Sequence, residues 1–457
     1  GRTGRVRGAG RVSGADRVSG VNRQVAHDDS AKSCTCLNGR VHSRPCPTTD
    51  RYTLERDDHG ILPFGTLGRP HHRGGLLPHH RRVIGPDPGR PGIGDPYFPG
   101  LGNGGYDARH YDLDLAYSPD TGRLDGRTTL TARATRNLSS FDLDLQRLEI
   151  TRVEVNGRRA VFTRDGDEVT VTPRDGLRKG RHFTVTVTYG GVPEPLGGPI
   201  IFGSKYGWMK TGDGVFVACE PNAASTWFPS SDHPADKATY DIRVKAPRGL
   251  TAVSNGRLVS TYDKGGSTYT HWRESRPMAT YLATATIGKF DVRTGRTPGG
   301  IPIYVAVDPV LKNGNGVDVY AVTAAATDYW SQVFGPYPFE ETGAIVDDMP
   351  EAGFSLEVQS KPAYSAVRNE TTIVHELAHQ WFGDSVSVAR WKDIWLNEGF
   401  ATYAQWLWAE HQAPARPTTP SWPATTPVPP TPPSGRSRWP TPSGTRCSPP
   451  PSTSAAR

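Results

Sequence analysis

Apolar and polar residues alternate with a period of two over much of the chain between residues 102 and 290. In 111–115 and 183–189, for example, aromatic, Leu or Val side chains occupy every second position, with Asp or Thr between them. This alternation is typical of strands that bury one face, and pairs such as Asn156-Gly157 favour tight hairpin turns. We therefore predict one antiparallel β domain, a sandwich or a saddle of sheets, at 102–290.

Helical periodicity replaces this alternation later in the chain. Apolar residues recur with a helical spacing over 317–334 and stop at a Gly-Pro pair, which ends a helix. A second helix is predicted to begin at Thr371 and Thr372 and to end at Gly383. A third is predicted at about 398–410. The second part of the chain is thus expected to be a mixture of helices and strands.

The two ends differ in composition from the rest. Residues 1–94 contain half of the 14 His and no apolar periodicity, and fourteen prolines fall within the last 44 residues. Such segments cannot bury enough apolar surface to offset chain entropy. We predict that 1–94 and 413–457 are disordered, and we hypothesise that they arise from a wrong reading frame or start. The alternative for 413–457 is a genuine Pro-rich linker.

Charge and hydropathy exclude two classes of partner. The net charge is +7, but 1–94 and 411–457 carry excesses of eight and five positive charges, so 95–410 has a net charge of −6. A mildly acidic folded part argues against nucleic acid. No apolar run is long enough to span a membrane, and no signal peptide is visible at the start. The extracellular space is favoured over the cytoplasm. The five Cys show no metal-binding spacing.

One short motif carries the chemistry. His375 and His379 lie four residues apart with Glu376 after the first, which is the HExxH pattern. On a helix, this spacing places both imidazoles on one face, where a divalent metal can bind between them. Glu376 lies about 100° around the helix and can face the open side of the metal. The motif predicts a zinc hydrolase with Glu376 as general base.

A catalytic zinc site needs a third protein ligand and one open position. Glu398, in the segment Trp-Leu-Asn-Glu-Gly-Phe, follows His379 with 18 residues between them. That distance lets one helix end and a second return antiparallel to it. We predict one Zn²⁺, held by His375, His379 and Glu398.

These motifs resemble those of the gluzincin aminopeptidases of the aminopeptidase N and leukotriene hydrolase type. The likeness extends over about 95–411. It implies an α+β multidomain fold, in which a β-saddle domain precedes a thermolysin-like catalytic domain at 291–412. The family's transition-state tyrosine lies well beyond the third ligand, and the resemblance assigns that role to no residue of this chain. We therefore expect the catalytic domain to be incomplete.

The resemblance also implies two sites for the substrate's α-amine. Glu357 retains the carboxylate of the family's amine-binding strand, although its neighbours differ, and Glu351 is a rival for that role. Glu220, in the sequence Cys-Glu-Pro, resembles the acidic site that the β domain contributes.

The function we predict is zinc-dependent removal of N-terminal residues from peptides that have a free N-terminus. Zinc would activate a water molecule, and Glu376 would take its proton. Two alternatives are kept. One is an inactive fragment that acts only as a binding module. The other is an endopeptidase of the thermolysin type, which would not need the amine-binding carboxylates.

Overall fold

The structure is a computed structural model and describes residues 86–198, 203–311 and 314–413. The predicted disordered or mistranslated segments 1–94 and 413–457 lie largely outside the described residues.

The described chain contains more strands than helices, and its α-helices occur only after β20. The strands are β1 (Arg90–Pro91), β2 (Asn103–Gly104), β3 (Tyr106–Ser118), β4 (Arg123–Ala134), β5 (Phe141–Asp144), β6 (Glu149–Val155), β7 (Arg158–Arg159), β8 (Val161–Asp165), β9 (Glu168–Thr172), β10 (His182–Gly191), β11 (Leu196–Gly197), β12 (Lys205–Lys210), β13 (Val215–Ala218), β14 (Ala238–Pro247), β15 (Thr251–Ser254), β16 (Arg257–Lys264), β17 (Ser267–Met278), β18 (Ala285–Gly288), β19 (Asp291–Arg296), β20 (Pro302–Val307), β21 (Thr342–Val346), β22 (Ser355–Leu356) and β23 (Ala363–Tyr364). The α-helices are α1 (Val319–Val333), α2 (Glu370–Ala378) and α3 (Trp395–Gln412).

A sheet of eight strands, in the order β16-β17-β14-β3-β4-β10-β6-β7, forms the largest layer of the first domain. In β3, Tyr111, Leu113 and Leu115 are buried, while the aspartates between them are at least partly exposed. The period-two pattern therefore gives this sheet one buried and one solvated face. The pairing of β14 with β3 is parallel, whereas the other pairs of this sheet are antiparallel.

Two smaller sheets pack against the buried face of the large sheet. Their strand orders are β11-β12-β13-β18-β15 and β5-β9-β8. Apolar residues of these sheets, among them Trp208, Val217 and Val171, belong to the same core as the large sheet. The turn between β6 and β7 is formed by Asn156 and Gly157 with φ of 51° and 72°, as predicted for a tight hairpin.

A separate sheet of five strands begins at β19, and its strand order is β19-β20-β21-β23-β22. Its central strands β20, β21 and β23 are parallel. The helices share one core with this sheet, in which Trp330 of α1 and Leu377 of α2 are fully buried. Trp330 Nε1 also donates to Val374 O at 3.2 Å. Because α1, α2 and α3 all pack in this core, one face of α2 is held towards α3.

The ends of the helices depend on specific caps. Asn369, not Thr371 or Thr372, caps α2, since its side chain accepts a hydrogen bond from Thr372 N. The α-helix ends at Ala378, and a turn connects it to Gly383, whose φ is 139°. Within the described ranges, no helix is long and apolar enough to cross a membrane.

The beginning of the described chain corrects one predicted boundary. Residues 86–94, assigned to the unstructured start, are ordered, because β1 pairs with β2 and Gly89 N donates to Ser140 O at 2.9 Å. Asp95 follows immediately. It is buried and contacts both domains, with His233 Nε2 at 3.1 Å and Trp391 N at 2.8 Å from Oδ2. The folded part therefore begins earlier than composition indicated.

Candidate metal centre

Three side chains converge on one point, one from α2, one from the residue that caps its C-terminus and one from α3. The Nε2 atoms of His375 and His379 lie 3.1 Å apart. Glu398, in the first turn of α3, places a carboxylate oxygen 3.3 Å from His375 Nε2 and another 3.8 Å from His379 Nε2. The ligand atoms of the three residues all lie within 4.8 Å of one another. The structure thus brings together the three predicted metal ligands.

The donor set and its geometry fit zinc. Two nitrogen atoms that each lie about 2.0–2.1 Å from a tetrahedral ion are separated by about 3.3 Å, close to the observed distance between the imidazoles. His379 Nδ1 lies 3.0 Å from Phe382 O. A carbonyl only accepts, so Nδ1 carries the proton and Nε2 is left free to bind a metal. The side chain of Glu398 is 47% exposed, which leaves this side of the site accessible to a substrate.

A second group of potential ligands overlaps with the first. It consists of Glu357, Glu376 and His379, all of them buried, and their ligand atoms also lie within 4.8 Å of one another. It offers one nitrogen and two carboxylates and no exposed side. The first group has two nitrogens and an open side, so it suits catalytic zinc better. The overlap places Glu357 and Glu376 beside the metal centre.

Glu376 is well placed to act as a base. It lies on α2 between the two histidines and is buried. Burial raises the pKa of its carboxyl well above the ordinary value, and the nearby carboxyl groups of Glu357 and Glu398 raise it further. Arg368 acts in the opposite direction through its positive charge. A buried carboxylate with a raised pKa holds a transferred proton more readily than an exposed one.

The amine-site candidates Glu357 and Glu220 belong to the same acidic site. Burial raises the pKa of Glu357, and the charge of Glu398 adds to this against the opposing effect of the two histidines. Burial also raises the pKa of Glu220, followed by the charges of Glu357, Glu398 and Glu376. The β domain therefore contributes one carboxyl group and the catalytic domain supplies the others.

Glu351, the rival of Glu357, lies elsewhere. Its carboxylate is exposed and pairs with Lys205 Nζ at 2.8 Å. That hydrogen bond lowers the pKa of Glu351. Glu351 takes no part in either group of potential metal ligands within the described residues.

The two histidines partly compensate the negative charge of Glu398. Burial by itself would raise the pKa of Glu398, but its hydrogen bond to His375 and the charges of both histidines lower it overall. A carboxylate that remains ionised is the form that binds a metal.

Sequence reasoning missed two residues of this site. Tyr281, from the β domain, is buried and donates its hydroxyl proton to Glu357 Oε1 at 3.3 Å. Gln380, which follows His379 directly, contacts the main chain of the segment that carries Glu357. Nothing in the sequence around Tyr281 indicates this contact, because the two residues are 76 positions apart. Gln380 is visible within the motif, but its side chain has no predicted partner.

Comparisons with known proteins agree with this geometry. The Peptidase M1 N-terminal domain matches residues 107–282, and the Peptidase family M1 domain matches 348–426. A crystal structure of an M1 zinc metallopeptidase from Deinococcus radiodurans is similar, with 33% identity and a TM-score of 0.65, over 70% of this chain and 74% of that chain. A variant of that type bound to a Tyr-Ser-Ala substrate is 32% identical, with a TM-score of 0.65, over 71% and 75% of the two chains.

Among characterised relatives, human endoplasmic reticulum aminopeptidase 1 is 29% identical over 331 residues, which are 65% of this chain and 34% of the relative. Leucyl aminopeptidase of Saccharolobus solfataricus is 27% identical over 64% of this chain and 38% of its own length. The chain therefore spans about a third of the length of these two relatives.

The fold and the site combine a β domain with a second domain, built from a five-stranded sheet and helices, in which His375, His379 and Glu398 form the candidate zinc site. The chain belongs to peptidase family M1. The predicted resemblance and the predicted fold class are confirmed. Membership of a family of zinc metallopeptidases also implies a zinc site.

Proposed function

We propose that this chain is an aminopeptidase that uses one zinc ion to remove N-terminal residues from peptides. The observation that carries the proposal is the burial of Glu357 beside Glu376 and the ligand His379, with Glu220 in electrostatic contact. The names of the relatives as aminopeptidases agree with it.

Different residues of the site have the roles of metal binding, proton transfer and substrate recognition. His375, His379 and Glu398 would hold the zinc ion, which when bound lowers the pKa of a water molecule and polarises the scissile carbonyl. Glu376 takes a proton from the attacking water and returns it to the leaving amine. Its burial keeps bulk water away from this transfer and strengthens local electrostatic interactions.

The proposed recognition of the substrate depends on the closeness of two carboxyl groups, those of Glu220 and Glu357. After burial, the charge of Glu357 is the largest cause that raises the pKa of Glu220, because ionising both carboxyl groups without a cation is unfavourable. A protonated α-amine would supply the missing positive charge and form charge-assisted hydrogen bonds with both carboxylates. A substrate whose N-terminus is acetylated has no such charge. This difference would make the enzyme an exopeptidase.

A pair of substrates tests the proposal directly. The full chain, loaded with zinc, would be assayed with leucine p-nitroanilide and with its N-acetylated form. Cleavage of the free amine alone supports the aminopeptidase. Cleavage of both substrates would replace it by the endopeptidase, and cleavage of neither would leave a binding module.

The binding module is a second candidate because of one feature of α3. Trp395 and Trp406 are each 64% exposed, and Phe400 and Tyr403 are also exposed. An apolar surface of this kind on one helix is typical of a contact with another protein surface. Inactivity towards both substrates, together with concentration-dependent self-association, would favour this candidate over the enzyme.

A further inference from the structure

The segment 357–361, which carries Glu357, is buried but lies between β22 and β23, outside any sheet ladder. Buried main-chain N–H and C=O groups need hydrogen-bond partners. Lys361 N donates to Val358 O within the segment at 3.0 Å, while side chains from other parts of the molecule are the partners of Glu357 O, Gln359 O and Ser360 N. The position of the Glu357 carboxylate therefore depends on these side chains.

Gln380 provides two of the contacts. Its Nε2 donates to Glu357 O at 3.2 Å, and its Oε1 accepts from Ser360 N at 2.6 Å. Gln380 and Ser360 are fully buried. The amide thus pairs with the segment as a peptide group of a neighbouring strand would. Because Gln380 follows His379 in the chain, it links the segment of Glu357 directly to a metal ligand.

The β domain holds the segment from the other side. Asn255 Nδ2 donates to Gln359 O at 2.9 Å and to Leu282 O at 2.8 Å. Ser360 Oγ accepts from Gly256 N at 2.7 Å. Leu282 is adjacent to Tyr281, whose hydroxyl contacts Glu357. The segment is therefore fixed between the zinc-binding helix and the β domain.

Ser360 adopts a conformation that requires such support. Its φ is 69°, in the left-handed region that a residue with a Cβ rarely occupies. The hydrogen bonds from its N–H to Gln380 and to its hydroxyl from Gly256 favour this turn. Removal of the Gln380 amide would let the turn relax, and the main chain of Glu357 would move with it.

We propose that Gln380 is a positioning residue, which fixes Glu357 relative to the metal ligands and thereby sets selectivity for a free α-amine. This inference rests on the proposed aminopeptidase function. Gln380 touches neither substrate nor metal in this role. It acts through the main chain of Glu357 and Ser360.

The principal test is Gln380→Met, which keeps the volume of the side chain and removes both hydrogen bonds. The KM for leucine p-nitroanilide should rise about tenfold, while kcat stays within about threefold of wild type. Zinc content per chain should not change. Thr128→Val removes another buried hydrogen bond, between Thr128 Oγ1 and Tyr189 Oη at 3.1 Å in the eight-stranded sheet, and should leave KM unchanged.

A double-mutant cycle with Glu357→Gln separates positioning from a general structural effect. If Gln380 acts through Glu357, Gln380→Met should raise KM little further in the Glu357→Gln background. Additive effects on KM, or a KM for Gln380→Met within twofold of wild type, would overturn the inference.

Hydrogen exchange provides a readout that does not depend on activity. The amides of 357–361 should exchange faster in Gln380→Met than in wild type, with the eight-stranded sheet unchanged. Unchanged exchange in this segment would contradict the inference. A wild-type chain that shows no preference for a free amine would instead contradict the proposed function. If Gln380→Met does not fold, Gln380→Glu, which keeps the bond from Ser360 N, is used for the same comparisons.

Discussion

The hydroxyl of Tyr281 donates to Glu357 Oε1 across the boundary between the two domains, at 3.3 Å. Tyr281 is held in turn by Trp391, whose ring centroid lies 5.3 Å away in an edge-on arrangement. Trp391 begins the single turn that leads into α3 and Glu398. A β-domain side chain is therefore in contact both with Glu357, the carboxylate proposed to bind the amine, and with the segment that leads to Glu398, the proposed third ligand.

Replacement of Tyr281 by Phe tests the first of these contacts. The change removes the hydrogen bond but keeps the ring, so the Glu357 carboxylate loses one restraint. We expect a three- to tenfold higher KM for leucine p-nitroanilide and a kcat within about twofold of wild type. The control is Tyr189→Phe, since the hydroxyl of Tyr189 is also buried but bonds to Thr128 in the large sheet. An equal change in both variants would indicate lost stability instead of lost orientation.

Two acidic residues compete for amine binding, and substitution distinguishes them. Glu357→Gln removes a charge from the buried site and should lower kcat/KM for the free amine at least about a hundredfold. Glu351→Gln affects an exposed ion pair with Lys205 and should change it by less than twofold. Steady-state kinetics with both variants measures this. The reverse ranking would assign amine binding to Glu351.

The role of Glu376 predicts a variant that binds zinc but does not turn over. Glu376→Gln keeps the shape of the side chain and cannot accept the water proton. The zinc content, measured by mass spectrometry, should equal that of wild type, while kcat falls by about 10²–10⁴. Activity close to that of wild type would show that another group is the base.

Glu274 predicts a dependence of stability on pH that is unrelated to the metal. Burial is the main cause that raises its pKa to about 7 in the folded state, against opposing contributions that include the hydrogen bond from Arg276 N and the charge of Lys361. In the unfolded state the pKa of a glutamate is about 4.3. The folded protein then binds the extra proton, so the free energy of unfolding falls as pH rises from about 4.5 to 7.

Glu274→Gln should remove this contribution of Glu274 to the pH dependence of the free energy of unfolding. Relative to wild type, its free energy of unfolding should increase by up to about 3 kcal/mol between pH 4.5 and pH 7.5. Urea unfolding of both proteins at several pH values measures the difference, and other titrating groups cancel in the comparison. Glu410→Gln, an exposed change on α3, is the control. A difference between Glu274→Gln and wild type that does not vary with pH would refute the assigned pKa.

Much of the fold could be predicted from local pattern. The period-two alternation places Tyr111 and Leu113 on one buried face because a strand's side chains alternate between its two sides. The helix around His375 is equally visible in the sequence, but its start is not, because Asn369 and the threonines at 371 and 372 are all good caps and spacing does not choose between them. The order of residues 86–94 cannot be predicted from composition, because composition does not reveal that β1 pairs with β2.

The sequence alone determined the candidate metal ligands His375 and His379 and the neighbouring Glu376, since these three residues lie within about one helical turn and their geometry follows from the helix itself. Glu398 followed from its distance along the chain and from the metal's need for a third ligand. Only the tertiary structure decided that Glu357, and not Glu351, lies beside that centre. Contacts such as those of Tyr281 and Gln380 join residues distant in the chain. They exist only because packing of the β domain against the helices brings these residues together.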